Sequence, residues 1–452
     1  METIQEAARE VPVVAAPDVC VIGGSCTGVF AAVRAARLGA EVALIENHGF
    51  LGGTATAGLV CVWHSLFDTA GEKTIIAGLT REILDRLARR DAVRFNDPNV
   101  NRYCAFNSAE LTIELDELVR EAGVRPFLHA RFVAPIVEDG RVTAAVIEDK
   151  SGRRAVRARV FIDATGDGDL LARAGLPFRI GDELQPPTTC AVIRGIDSIE
   201  QQNPDFRLGE AAFDPQYPTA LPPGFLWFSP MVGADDERMV AGTRVNHANC
   251  ADAEGLTAAE IEGRRQVRAL CDLLRDNLPG GEQIRLRQLP ASIGIRETRR
   301  AECLHSLTEQ EVLTGVRFPD AIANGSYRVD VHHSDKSGLT FRYLDGTEHY
   351  VRPDGPAVRG RWREPIDQDP TFYQIPYRSL VPRGATNVLV AGRLVDTDHG
   401  AYGAVRVMVN CNQTGEAAGA AAYLALDAEG SAAGVDTDTL RETLSAGGAC
   451  VI

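Results

Sequence analysis

An α/β fold interrupted by an inserted α+β domain is what three features of the sequence predict. Residues 19–46 run strand, glycine loop, helix, strand, acid. Residues 131–163 read as an antiparallel excursion that returns to a buried strand, and residues 388–424 supply a further buried strand and a helix rich in Gly and Ala. Between them, strands broken by Pro-rich loops such as TALPPG form the insert. The expected boundaries are 18–185 for the first part of the α/β domain, 186–379 for the insert, 380–428 for the return segment and 429–452 for a tail.

The first unit centres on residues 21–28, VIGGSCTG. Val19, Cys20, Val21 and Ile22 make a short buried-strand pattern. Val29, Ala32, Val33 and Ala36 then recur at helical spacing with Arg34 and Arg37 off that face, and Gly39 stands where a left-handed cap ends a helix. Val42, Ala43, Leu44 and Ile45 make a second strand that finishes at Glu46. This is the context of a Rossmann dinucleotide site, whose acid, about 20 residues past the loop, binds ribose hydroxyls. The helix start directs unpaired N–H groups and about half a positive charge at a pyrophosphate. Gly23 and Gly28 fill the first and third positions of G-x-G-x-x-G, while Ser25 replaces the second. A serine there is tolerated at some cost in closeness, and its hydroxyl is a donor to a phosphate oxygen. Glu46 is followed by NHGFLGGTATAG, where Gly52 and Gly53 make a second flexible turn. An extended segment there suits a longer cofactor and favours FAD over NAD.

The remaining elements follow in order. Residues 75–90 are helical, as are 108–122, with Ser108 as cap. Asp139-Gly140 marks a hairpin, and the run returns through Val160, Phe161 and Ile162 to Ala164-Thr165-Gly166. In the insert, LTAAEIEGRRQVRALCDLLRDNLPGG is a long helix, with Thr257 and Glu260 as a capping box and Leu256 and Ile261 as a staple. Its buried stripe is Val267, Leu270, Cys271, Leu274 and Leu278, and Pro279-Gly280-Gly281 stops it. Asp345-Gly346 marks another hairpin. Val388, Leu389 and Val390 form a buried strand before Ala391-Gly392-Arg393, and a helix follows from about Gln413 to Leu424. The tail holds a short LRETL helix.

Composition sets limits. Of 452 residues 45% are hydrophobic, ample for a packed core, and the formal net charge of -15 weighs against a nucleic-acid surface. The ten cysteines include no C-x-x-C, so no zinc ribbon or ferredoxin-type cluster is expected, and no metal. METIQEAARE lacks the apolar region of a signal peptide, and no apolar run reaches the ~18 residues of a membrane span. A reducing cytoplasm is expected, with no membrane and no nucleic-acid partner; a homodimer is compatible with the chain.

The stretches DVCVIGGSCTGVFAAVRAARLGAEVALIENHGFLGGTATAGLV, VFIDATGDGDLLARAG, IGIRETRR, the DVHH segment and VLVAGRLVDTDHGAYGAVRVMVNCNQTGEAAGAAA, in that order and spacing, resemble the FAD-dependent oxidoreductase family with one N-terminal FAD motif. The resemblance covers nearly the whole chain. It implies a Rossmann-like FAD-binding domain of glutathione-reductase type with an inserted α+β substrate domain. It implies cofactor contacts at Gly23, Gly24, Gly28, Glu46, Gly52, Gly53, Ala164, Thr165, Gly166, Gly392, Gly403 and Arg406. Ser25, Cys26, Thr27, Asn47, Thr54, Arg131, Val133, Arg393 and Val407 are expected beside them, with Cys26 serving as a small packing residue. Two departures stand out. Ser25 replaces a glycine, and Asp398-His399 stands where the family has threonine-histidine, close to the expected flavin ring.

Flavin chemistry needs a substrate held at N5 and a neighbour that moves a proton. His399 is the first candidate, with Tyr402 as partner. His332 and His333 share a strand end, so only one faces the flavin, and His332 is preferred. Arg296, Arg299 and Arg300 are candidates for an anionic substrate or the reduced flavin's charge, unless Glu297 ties one of them up. Arg406 is expected at the flavin's pyrimidine end. Asp163, Asp167 and Asp169 read as turn and cap residues rather than metal ligands, and Trp63 and His64 as pocket lining. The expected function is transfer of hydride or electrons between a small organic substrate and flavin N5. The alternatives are a flavin monooxygenase reduced by transiently bound NAD(P)H and, against the acidic charge, a flavin-bearing RNA-modifying protein.

Overall fold

At the centre of the computed structural model, which describes residues 2–96, 103–334, 338–352 and 355–452, lies a five-stranded parallel sheet. Its order is Val388–Val390, Val160–Asp163, Val19–Ile22, Val42–Ile45, Arg125–Phe127. Alternation along these strands sorts two cores. Cys20, Ile22, Ala43, Ile45 and Phe161 pack on one face against Phe132, Val142, Ala145, Ile147 and Val156. Val19, Val21, Val42, Leu44, Val160 and Ile162 belong to the core that holds Val29, Phe30, Val33 and Ala417 of the helices. With both faces covered, the strands read as unbroken apolar runs.

The excursion comprises Arg131–Glu138, Arg141–Asp149 and Gly152–Arg157, all antiparallel, with Val13–Ala15 added in parallel at its edge. Its hairpin closes at Asp139 and Gly140, both at positive φ (49° and 75°), the conformation a type I′ turn needs. The helix Cys26–Leu38 ends at Gly39 with φ 113°. Against it lies the helix Met408–Asp427. A Cβ on Gly415 would fall 2.1 Å from Thr27 O, and one on Gly419 2.1 Å from Ala31 O. The small residues of the later helix therefore let two backbones touch. Arg34 and Glu416 form a buried ion pair across this seam, and the other Glu416 oxygen accepts from Leu79 N–H at 3.0 Å.

Two four-stranded antiparallel sheets stand between the excursion and the return strand. One has the order Trp227–Pro230, Glu237–Ala241, Ala191–Arg194, Arg285–Gln288, and the helix Ala253–Asn277 packs on it through Val267, Leu270, Cys271 and Leu274. The other runs Val329–His332, Leu339–Arg342, Thr347–Val351, Val358–Arg361 and contains the Asp345-Gly346 hairpin. A helix, Thr437–Ala446, follows in the C-terminal segment.

Three helix starts differ from the sequence reading. Asn107 caps Ser108–Glu121 through Ala109 and Glu110 N–H, while the Ser108 hydroxyl donates to Ala55 O at 2.8 Å. Asp252 caps the long insert helix by accepting from Gly255 N–H at 2.9 Å. That start lies a turn earlier than expected, so Thr257 is interior and donates to Ala253 O, Glu260 accepts from Ile293 N–H, and Ile261 is exposed rather than stapled. The helix expected over 75–90 is Leu79–Ala88, because Gly78 at φ 62° breaks it from the buried Ile75 and Ile76.

Candidate active site

A cavity of about 1330 Å³ opens at the carboxyl ends of the parallel strands, where open α/β sheets bind their ligands. Of the sequence-predicted contacts, Gly23, Ser25, Cys26, Thr27, Glu46, Asn47, Gly52, Gly53, Thr54, Arg131, Ala164, Thr165, Gly166, Gly392, Arg393, Arg406 and Val407 line it. Gly24, Gly28, Val133 and Gly403 do not. Gly24 and Gly28 are turned into the protein: a Cβ would meet Leu51 Cδ2 at 2.7 Å and Gly23 O at 1.7 Å, respectively. Gly403 lets its helix press on the strand Val329–His332, where a Cβ would lie 2.6 Å from Asp330 O. Val133 sits at a register shift between Phe132 and Ala134, so Arg131 and Phe132 face the cavity in its place.

The glycine loop accommodates Ser25 by a compensation across the crevice. Ser25 bridges Gly52, and a Cβ added to Gly53 would lie 2.6 Å from Ser25 Cβ. The space the serine takes is the space Gly53 leaves. Ser25 is the extended N-cap residue of the first helix, and its side chain makes no cap hydrogen bond. The N-terminal pole of that helix therefore faces the cavity with a hydroxyl beside it. Glu46 accepts from Gly24 N–H at 2.6 Å and His48 N–H at 2.7 Å, which fixes its carboxylate at the second strand end. Asp163 organises the third strand end: it accepts from Thr165 N–H and hydroxyl and from Leu171 N–H, and burial pushes its carboxyl up to about 6. It is a turn residue, as expected. Burial pushes the Cys26 thiol up to about 12, consistent with packing.

Polar atoms at the far wall lack protein partners. Both amide atoms of Asn412 and Nη1 of Arg393 are buried without a hydrogen bond among the described residues, and both side chains line the cavity. Arg393 Nη2 is held by Asp167 at 2.9 Å. Asn412 lies in the second turn of Met408–Asp427, whose N-cap residue Val407 caps nothing with its side chain. Unpaired buried donors and acceptors at a helix start fit the polar edge of a dinucleotide's ring system. Sequence reading missed Asn412; the run of polar side chains Asn410, Asn412, Gln413 and Thr414 in the first turns of a buried helix was its signal.

The strand Val329–His332 brings chemistry to the other end. Alternation turns Asp330 and His332 to the cavity, while His333 points away and meets Thr340 Oγ1 at 2.8 Å. His332 Nε2 lies 3.3 Å from Asp330 Oδ1. Asp330 Oδ2 accepts from the Tyr327 hydroxyl at 2.9 Å and from Arg406 Nη2 at 3.3 Å. Burial drives His332 well below the ordinary imidazole pKa; Asp330 opposes this, and Arg296 and Arg244 reinforce it. Burial alone would raise Asp330, but the hydrogen bond from His332 and the charges of Arg406 and Arg328 outweigh it and hold the carboxyl well below the usual range. The pair is thus a neutral imidazole beside a carboxylate. The His64 ring lies 4.2 Å from the Tyr327 ring at a tilt of 38°, and burial together with Arg328 lowers its pKa to about 3.

His399 and Tyr402 are not brought to this cavity. Asp398 caps the helix His399–Val405 through Ala401 N–H and also holds Glu309 N–H. That places His399 at the outer side, its side chain 38% exposed and 4.0 Å from Glu297. Tyr402 is buried and donates to Arg296 O at 2.8 Å. Arg296 does line the cavity, together with His332. Arg300 is tied up by Glu297 at 3.4 Å and Arg299 by Asp167 O at 2.8 Å. Trp63 lies in the core against Phe106, whereas His64 lines the cavity. Among the described residues no three His, Cys, Asp or Glu side chains are grouped to hold a metal, and no helix is long and apolar enough to cross a membrane.

The likeness to known proteins agrees with this geometry. The chain is 26% identical over 238 residues to a digeranylgeranylglycerophospholipid reductase from Methanoculleus marisnigri, an alignment covering 47% of this chain and about half (52%) of that relative. Its fold is similar to that of a geranylgeranyl bacteriochlorophyll reductase-like protein from Thermoplasma acidophilum, with a TM-score of 0.50, 13% identity, and 96% and 83% of the two chains covered. Residues 18–444 match the family described as FAD dependent oxidoreductase. With its glycine loop, acid and return helix all converging on one cavity, the chain belongs to the FAD dependent oxidoreductase family.

Proposed function

We propose that the protein passes hydride between a small organic substrate and flavin N5, with His332 taking or returning the substrate's proton. The observation that carries this reading is the neutral His332 beside Asp330, on the same cavity as the glycine loop. FAD, when bound, supplies the two-electron chemistry. Ser25 and the backbone after Gly23 hold its diphosphate, Glu46 a ribose, and Arg393 and Asn412 the polar edge of its ring. The ionised Asp330 favours the imidazole tautomer with its proton on Nε2, leaving Nδ1 to accept. Once protonated, the ring is stabilised by that carboxylate. Phe225, Trp227, Phe341 and Tyr343 line the same cavity and supply the apolar body that excludes water from an organic substrate.

The test is anaerobic reduction of the bound flavin by a panel of small metabolites. Bleaching of the flavin absorbance by one of them, slowed in His332→Gln with FAD retained, supports the reading. NAD(P)H consumption that needs both substrate and O₂ overturns it in favour of an oxygenase.

A further inference from the structure

We infer that the cavity recognises an organic acid, whose carboxylate is received by Arg296, with Arg244 behind it adding positive charge. This names the substrate class for the reading above and rests on it. The two arginines converge on one neutral oxygen: Thr188 Oγ1 accepts from Arg296 Nη1 at 2.6 Å and from Arg244 Nη1 at 2.7 Å. The same hydroxyl donates to Thr243 O at 2.9 Å, so its proton and both lone pairs are used. Every other hydrogen bond of the two guanidiniums goes to a backbone carbonyl, at Pro186, Thr243 and Phe225. Among the described residues neither has a carboxylate within ion-pair distance. Arg296 and Thr188 line the cavity, whereas Arg244, 3% exposed, lies behind its wall and acts on it through Thr188 and its charge.

Two like charges gathered under cover without a counter-ion are unfavourable unless something negative joins them. The acid that acts on both is Asp330, and it already serves Tyr327, Arg406 and His332. Arg328 adds further positive charge to the same wall, stacked 4.0 Å over the Phe341 ring. The missing partner is an anion, and a planar pair of oxygens suits the guanidinium fork of Arg296. The neutral imidazole nearby argues for an acid with an oxidisable carbon rather than an inorganic ion. With the carboxylate held by Arg296, the aromatic wall holds the rest of the molecule.

Titration of the FAD-loaded protein with matched probes tests this, read by perturbation of the visible flavin spectrum. The probes are acetate against acetamide and benzoate against benzamide. At least one acid should bind tenfold or more tightly than its amide, and Arg296→Gln should abolish that preference. Should the variant lose its fold, the acid–amide contrast in the unaltered protein decides alone. Equal binding of acids and amides, or failure of both acids while a metabolite still reduces the flavin, overturns the inference. Displacement by sulfate as effective as by acetate also overturns it, since the site is then a general anion trap. Acid-selective binding without reduction by any metabolite leaves the acid site standing and sinks the hydride-transfer reading instead.

Discussion

His332 faces Asp330 across 3.3 Å on a single strand, and the acid's other oxygen is held by Tyr327 and Arg406. The arrangement fixes a neutral imidazole where burial, Arg296 and Arg244 all disfavour a charged one. Replacing His332 by Gln is expected to lower kcat roughly 100-fold or more, the usual worth of a positioned proton acceptor, with FAD content unchanged. The pH profile checks the mechanism. Because His332 titrates well below 6.5, turnover should stay level from about pH 8 to about pH 6, where an ordinary histidine would already have cut it. A limb falling near 6.5 in the unaltered enzyme excludes His332 as the base.

The glycine loop gives opposite expectations for two neighbours. A Cβ at residue 28 would lie 1.7 Å from Gly23 O, so Gly28→Ala must open the loop and release FAD. Ser25 is accommodated by Gly53, so Ser25→Gly should keep FAD bound at full stoichiometry. The flavin-to-protein absorbance ratio after gel filtration measures both.

The helix seam should be intolerant of a single methyl. Gly415→Ala places a Cβ 2.1 Å from a backbone oxygen, and overpacking of this kind costs about 1–3 kcal/mol. Gly360→Ala, on an open strand with nothing within 4 Å, is the control and should change little. Chemical denaturation of the two variants decides; equal midpoints would show that the seam is loose.

Asp163 should leave a signature in stability against pH. Its folded value, near 6, lies above the ordinary 3.8, so the folded protein binds the extra proton. Stability contributed by this group is therefore greatest in acid and is lost as pH rises from about 4 to about 6, by about 3 kcal/mol in all. Asp163→Asn does not titrate. Its stability relative to the unaltered protein should rise over that interval and then level off. A constant difference between pH 4 and 7 would refute the burial argument.

The parallel sheet was legible because doubly covered strands are apolar throughout, as at 19–22, 42–45, 160–162 and 388–390. Gly39 and Asp139-Gly140 were legible because left-handed backbone selects those residues. Helix starts were less so: Asp252 and Thr257 are both eligible caps, and the earlier one won. Strand alternation pointed to His332 over His333. It did not point to the role of Asp330, whose partners Tyr327, Arg406 and His332 include one brought in from the end of the helix His399–Val405. His399 misled because the flanking Asp398 directs it outward through a cap that also holds Glu309, a contact between distant segments.

Arg34 and Glu416 are 382 residues apart in the chain, yet they meet in the seam beside the glycine loop. During synthesis the amino-terminal half leaves the ribosome long before the helix that covers it. Its apolar sheet face and the bare side of Cys26–Leu38 must wait for that cover, exposed to chaperones and to other nascent chains. A chain ending upstream of residue 408 lacks that cover and is expected to aggregate rather than fold as a smaller nucleotide-binding module, which its soluble yield against the full chain measures. On the same reasoning, cofactor capture is expected to await the helix Met408–Asp427.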